Sequence, residues 1–327
     1  MSGSMPETLL SVRDLTLSFA TRMGPLKVLR GIDLDIAANE VVALVGESGS
    51  GKSALGKSIV QLLSPPFVDG RATLSGSIRL HGEELITAPA HRLRAVRARD
   101  IAMVSQDALS GLNPVMRIGA QIAEAAQAAD PALSAAAARR DARDMLAAVG
   151  LPDPDKAARD YPHQLSGGQR QRVMLALAAI RQPQVLIADE PTTALDVSVQ
   201  ARVLALLADL QRQSGMAMLF ITHDLGVVAN IAHRVAVMYA GQIIETGTVA
   251  EVFTRPRHPY SAGLISALPE APAHHPRLAG GPPDLHNLAP GCAFMPRCRH
   301  AAMACSQPPP LKPFPGGAHA LCWSPLS

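Results

Sequence analysis

The stretch Glu40-Val-Val-Ala-Leu-Val-Gly46-Glu-Ser-Gly-Ser-Gly-Lys-Ser53 decides how this chain is read. Val41 to Val45 form a short apolar run rich in β-branched residues, the pattern of a strand buried within a parallel sheet. Gly46, Glu47, Ser48, Gly49, Ser50, Gly51, Lys52 and Ser53 then spell G-x-x-x-x-G-K-S, and ALGKSIVQLL follows with helical patterning. Strand, glycine loop and helix in that order make an anion cradle. The glycines let the backbone turn tightly enough for successive N–H groups to face phosphate oxygens. The helix adds the positive end of its dipole. Lys52 brings a full charge to the β- and γ-phosphates, and the Ser53 hydroxyl can ligate Mg²⁺. An ordinary Gly/Ser turn before a lysine is disfavoured by the strand before it and the helix after it. The loop is a nucleotide site.

A second buried strand, QVLIADEP, ends in Asp189 and Glu190. Asp189 is placed to bind Mg²⁺, and Glu190 to take a proton from water attacking the γ-phosphate. Without the phosphate loop, an acidic pair closing a strand would be unremarkable. Between the two motifs lies Leu165-Ser166-Gly167-Gly168-Gln169, heading the helical stretch RQRVMLALAAI. Small residues at the head of a helix make another anion-binding tip. Because the chain already has its own phosphate loop, a second tip suits a nucleotide held by another chain. Taken singly, Gln106 in MVSQD reads as a solvated loop amide and His223 in ITHD as a satisfied polar histidine.

Taken together, LSGGQ, Gln106, Ala194-Leu195-Asp196 and His223 resemble the ATP-binding-cassette (ABC) family, in the family's motif order over about residues 9–250. Small GTPases and kinases have no use for LSGGQ. The resemblance implies a P-loop α/β fold, with a mixed β core and a helical subdomain at about 107–165, and two cassettes paired head to tail around two ATP molecules. It implies that Ser166 and Gly168, with their neighbours Gly167 and Gln169, serve the γ-phosphate held by the opposite cassette. Gln106 would stand near Mg²⁺ and the attacking water, His223 near the γ-phosphate, and Asp196 at the contact between cassettes. Phe19 takes the place of an aromatic that stacks on adenine, or else is a core residue of a strand.

Within that family the chain is similar to ATP-binding subunits of oligopeptide, dipeptide and nickel importers. The stretches GLNPVMRIGAQIAEA, YPHQLSGGQRQRVM and LIADEPTTALDVSVQA carry the likeness, with HPYSAGLISALP and GPPDLHNLAPGCAFMPRCRHAAMAC in the tail. The implied machine joins a second cassette, identical or different, two transmembrane permeases and an extracytoplasmic solute-binding protein. The segment after Gln106 is expected to dock a permease. It departs from the family where QDALSGLNP lacks the usual Pro after QD and Thr-Ser before LNP, which bears on that contact rather than on hydrolysis. The alternative is a soluble ABC ATPase acting on nucleic acid, of the repair or translation type. Repair cassettes usually carry a long coiled coil or zinc insertion and translation cassettes a second cassette.

Composition agrees. Thirty basic against 27 acidic residues leave a net charge of +3, which gives no whole-molecule case for binding nucleic acid. No apolar stretch reaches the roughly 20 residues of a membrane span. The start, MSGSMPETLLSVRDLTLSF, lacks the basic head and apolar core of a signal peptide. The chain is therefore expected to stay in the cytosol, and the resemblance to importer subunits implies a peripheral place on the cytoplasmic face of the inner membrane. Residues 1–255 read as the ATPase domain and 256–327 as a Pro-rich, irregular arm ending in a cysteine-bearing module. Its Cys292, Cys298, Cys305 and Cys322 are spaced C-x5-C-x6-C-x16-C, without the paired C-x2-C knuckles of structural zinc sites. A reducing compartment argues against disulfides. A [4Fe–4S] cluster, zinc, or four unligated thiols remain the readings.

Overall fold

A computed structural model describes residues 8–63, 71–106, 111–193, 196–268 and 278–326. The residues 107–110 of the departing QDALSGLNP stretch, Ala194 and Leu195 of the ALD motif, and the APAHHP stretch lie outside these. The elements begin with β1 (Thr8–Thr21), β2 (Gly24–Ala37), β3 (Val41–Val45), α1 (Lys52–Ile59), β4 (Ala72–Leu80) and β5 (Glu83–Glu84). Next come α2 (Ala90–Ala95), β6 (Ile101–Val104), α3 (Ile118–Ala129), α4 (Ala135–Ala148), α5 (Pro154–Arg159) and α6 (Gly167–Ala179). Then follow β7 (Val185–Asp189), α7 (Val197–Ser214), β8 (Ala217–Thr222), α8 (Leu225–Ile231) and β9 (Arg234–Tyr239). The chain closes with β10 (Gln242–Thr248), α9 (Val249–Thr254), α10 (Pro259–Ile265), β11 (Leu311–Pro313) and β12 (His319–Leu321). This is the mixed α/β architecture that the strand–loop–helix reading predicts.

The described residues form two units, one of Ala37–Asn39 and Ala88–Leu219, the other of Thr8–Ile36, Glu40–Thr87 and Phe220–Ser327. In the first, β6 and β7 pair in parallel, Ile101 opposite Val185 through Val104 opposite Ala188. All five residues of β7 are buried, as its continuous apolar run requires. The helices α3, α4 and α5 pack on one another. The Ala-rich α4 starts where Ser134 Oγ accepts the Ala137 N–H at 3.2 Å. It ends at Val149, followed by Gly150 at φ 72°. That left-handed turn is the usual helix stop, and Pro152 prevents continuation.

In the second unit, β2, β1, β4 and β5 form an antiparallel sheet in that order, and β3 pairs in parallel with β9. The five side chains of β3 are at most 1% exposed, so it is the spine on which the phosphate loop hangs. Burying each Val or Leu there contributes about 1.5–3 kcal/mol.

The tail is more regular than its composition suggests. HPYSAGLI forms α10, capped by His258 Nδ1, which accepts the Tyr260 N–H at 3.0 Å. Pro259 fits because its missing N–H falls in the first turn, where helix donors have no intrahelical partner. Burial pushes the His258 pKa down to about 3, so the ring stays neutral and free to accept. Farther on, β12 adds to the edge of β10, with Glu245 opposite Ala320, and β11 pairs with β12. Among the described residues the rest of the tail carries only single 3-10 turns, at Met295–Arg297, Met303–Ser306 and Pro315–Gly317.

Candidate nucleotide site

The phosphate loop links the buried end of β3 to the first turn of α1. Its glycines are obligatory for two different reasons. Gly46 sits at φ 154°, and a Cβ there would lie 2.2 Å from the Met238 carbonyl oxygen. Gly51 caps α1 at φ 107°, a left-handed conformation costly for other residues. Lys52 is only 4% exposed. Its Nζ donates to the carbonyls of Gly46 at 2.8 Å and Glu47 at 3.0 Å, folding the cation over the loop. The Ser50 N–H donates to the Glu47 carbonyl, while the buried Ser50 hydroxyl has no hydrogen-bond partner among the described residues. A buried hydroxyl without a partner is costly unless a ligand or water completes it. Ser53 follows in the first turn of α1, and Ser48 and Gly49 lie exposed at the tip. Phe19 lies near the end of β1, opposite Ala72, and is half-buried rather than a core residue.

In the other unit the acidic strand ends as the sequence reading expects. Asp189 is 2% exposed as the last residue of β7. Glu190 follows at φ 47°, a left-handed conformation that turns the chain sharply. Its Oε2 accepts hydrogen bonds from Thr193 Oγ1 at 2.8 Å and Gln106 Nε2 at 3.2 Å. Gln106, at the exposed end of β6, and Glu190 are therefore brought together across 84 residues of sequence. Thr193 is a partner that the sequence reading missed, and its only local signal is the tight turn following Glu190.

The LSGGQ segment heads α6 as a capping box. Ser166 Oγ accepts the Gln169 N–H at 3.3 Å, and Gln169 Oε1 accepts the Ser166 N–H at 2.9 Å. Gln169 thus braces the tip, and Ser166 and Gly167 stay exposed. A Cβ on Gly168 would come 2.8 Å from Val199 Cγ1, so α7 packs too closely there for any side chain. Asp196 caps α7, accepting the Val199 N–H at 2.9 Å. The Ser198 hydroxyl and that N–H hold its carboxyl below the usual range. His223 is exposed just beyond β8, one residue before the Asp224 cap of α8.

The cysteines are free thiols that line one small cavity together with His258, His300 and Phe294. Burial pushes the thiols of Cys292, Cys298 and Cys322 up, favouring the protonated form. Among the described residues no group of three or more His, Cys, Asp or Glu is arranged to hold a metal ion. The donor set of four converging thiols is nonetheless the kind that iron–sulfur clusters use. Beside this module lies an arrangement absent from the sequence reading. Arg297 grips the Glu47 carboxylate with both terminal nitrogens, at 2.7 and 2.9 Å, and the Tyr260 hydroxyl accepts the Glu47 N–H at 2.8 Å. No local signal links residues 250 positions apart.

Two family models match the chain: "ABC transporter" over residues 29–193 and "Oligopeptide/dipeptide transporter, C-terminal region" over 244–305. The dipeptide transport ATP-binding protein DppD of Bacillus subtilis is 42% identical over 97% of this chain and 95% of its own length. The oligopeptide transport ATP-binding protein OppD of Escherichia coli is 43% identical over 100% of this chain and 96% of its own. The chain belongs to the ATP-binding subunits of ABC transporters. The cassette is an ATP-hydrolysing subunit of an importer, working within a transporter complex. Solved cassettes share its fold. MJ0796, bound to ADP and Pi as a dimer, superposes with a TM-score of 0.65 at 25% identity, covering 73% of this chain and 98% of that one. The cbiO1 protein of Clostridium perfringens, part of the complex cbiONQ, gives 0.62 at 28% identity over 76% and 91%. These relatives lend no support to a nucleic-acid role. Among the described residues no helix is long and apolar enough to cross a membrane.

Proposed function

We propose that this cassette powers uptake of dipeptides or oligopeptides from the cytoplasmic face of the membrane, as a peripheral subunit beneath two permeases. The near full-length likeness to DppD and OppD, tail included, carries this reading. The working division is an ATPase domain over 1–255, with its helical insertion at about 107–165, and a transporter-specific module over 256–327. An extracytoplasmic binding protein would deliver the solute, and residues 111–125 would meet a permease. Val115 supports that contact, being an apolar side chain 80% exposed.

In this reading residues 46–53 cradle the phosphates of ATP and Phe19 packs on the adenine. The capped α6 tip, Ser166 to Gln169, serves a second cassette's γ-phosphate, and Asp196 lies at the contact of the pair. Ser53, Asp189 and Gln106 supply oxygen ligands suited to Mg²⁺, which neutralises charge on the β- and γ-phosphates when bound. Glu190 accepts the proton of the attacking water, and Gln106 holds that carboxylate in place. His223 supplies a donor to the γ-phosphate. The experiment is uptake of labelled peptide by vesicles carrying this cassette, its partner cassette and both permeases, with nickel as the competing solute. ATP-dependent peptide uptake is expected. Nickel uptake without peptide uptake would overturn the substrate class.

We propose that the four cysteines would be the ligands of a [4Fe–4S] cluster, although the thiols as placed form no group of three or more arranged to hold a metal ion. A cluster would crosslink a segment with little apolar core of its own. Their convergence on one cavity supports this. Protein purified anaerobically is expected to be brown and to contain about four irons per chain. Zinc, or a colourless metal-free protein, would refute it.

A further inference from the structure

The tail module reaches the phosphate loop through the side chains of Arg297 and Tyr260, and the Arg297 contact is built rather than incidental. Arg297 is one residue from Cys298 and only 9% exposed, against 25% for the Glu47 side chain it grips. Its guanidinium lies 5.8 Å from the ring centres of both Tyr239 and Phe294. The rings of Tyr239, Tyr260 and Phe294 pack edge-on or tilted against one another, with centres 4.6–5.4 Å apart. Nε donates to the Ala279 carbonyl at 2.8 Å, which fixes the plane of the fork. A planar cation held by aromatic faces and a carbonyl is poised for two parallel bonds to one carboxylate.

That carboxylate belongs to the first variable residue of the phosphate loop, and every polar group of Glu47 is engaged. Arg297 holds its side chain, the Tyr260 hydroxyl its N–H, and Lys52 and the Ser50 N–H its carbonyl. An acidic side chain beside a site for a polyanion is unfavourable unless it is neutralised. Arg297 supplies the neutralising charge from a part of the chain with no phosphate-binding motif.

We propose that Arg297 is a positioning residue of the nucleotide site, cancelling the charge of Glu47 and holding the loop in shape for a triphosphate. The inference rests on reading residues 46–53 as the ATP loop. It makes the cysteine module part of the ATP site, so that disturbing the module weakens nucleotide binding without touching the chemical step.

The test is a titration of the purified full chain with a fluorescent ATP analogue, paired with steady-state kinetics in the assembled transporter. Arg297→Gln should raise the Kd and the KM for ATP roughly tenfold, as expected for one uncancelled charge near a polyanion. The kcat should stay within about twofold, because the general base is untouched. Arg297→Lys keeps the charge but loses the two parallel bonds and the stacking, so its Kd should lie between those of wild type and Arg297→Gln. The double variant Glu47→Gln/Arg297→Gln removes both charges and should recover most of the lost affinity. A purely structural role would leave the double variant as weak as Arg297→Gln, and that result would overturn the proposal. So would an unchanged Kd in Arg297→Gln. Circular dichroism identifies a variant that has lost its fold, and the lysine and double variants then decide. If the wild-type chain binds no nucleotide, the reading of the loop fails instead.

Discussion

Replacing Glu190 by glutamine will leave ATP binding intact and slow hydrolysis at least ~100-fold, the scale expected when a positioned general base is lost. Glutamine has the same shape, and its amide oxygen can still accept from Thr193 Oγ1, the 2.8 Å bond that fixes the carboxylate now. What it cannot do is take a proton from water. The loss should therefore fall on kcat, with the KM for ATP nearly unchanged. The backbone at φ 47° is kept, so the variant should melt as wild type does. Single-turnover release of phosphate from the assembled transporter measures the effect. Turnover within tenfold of wild type would mean that another group is the base.

Lys52→Ala acts at the opposite step. The ammonium sits almost fully buried over the loop, bonded to the carbonyls of Gly46 and Glu47. In the proposed reading, bound nucleotide would draw those donors to the β- and γ-phosphates, replacing two neutral acceptors by charged ones. A hydrogen bond to a charged group contributes about 1.5–3 kcal/mol. Alanine should therefore weaken ATP binding roughly 100-fold, read by the same fluorescent titration. Magnesium alone should not restore it, because Ser53 is untouched. Affinity within about threefold of wild type would contradict the cradle.

How much of this was legible in the sequence follows from the range of the interactions. The phosphate loop, the acidic strand end and the LSGGQ tip of a helix each lie within a few residues, so spacing alone exposes them; the capping box of Ser166 and Gln169 is seen only in the fold. The strands β3, β7 and β8 carry continuous apolar runs that admit few alternatives. The tail was harder to read. Its prolines suggest an arm without regular structure, yet Pro259 opens α10, and β12 finds an unfilled edge on β10. An open strand edge is a property of the folded sheet and leaves no mark in local composition. The grip of Arg297 on Glu47 is equally invisible, since neither residue is unusual in its own neighbourhood. Resemblance identified Gln106, but only the fold brings its amide to Glu190.

The central claim is that hydrolysis at Glu190 drives solute across the membrane. Uptake of labelled peptide should be measured in vesicles that carry both permeases and either the wild-type cassette or its Glu190→Gln variant, with ATP binding confirmed in each. The account predicts uptake with the first and no sustained accumulation above background with the second, despite bound ATP. Accumulation by the variant at the wild-type rate would contradict it.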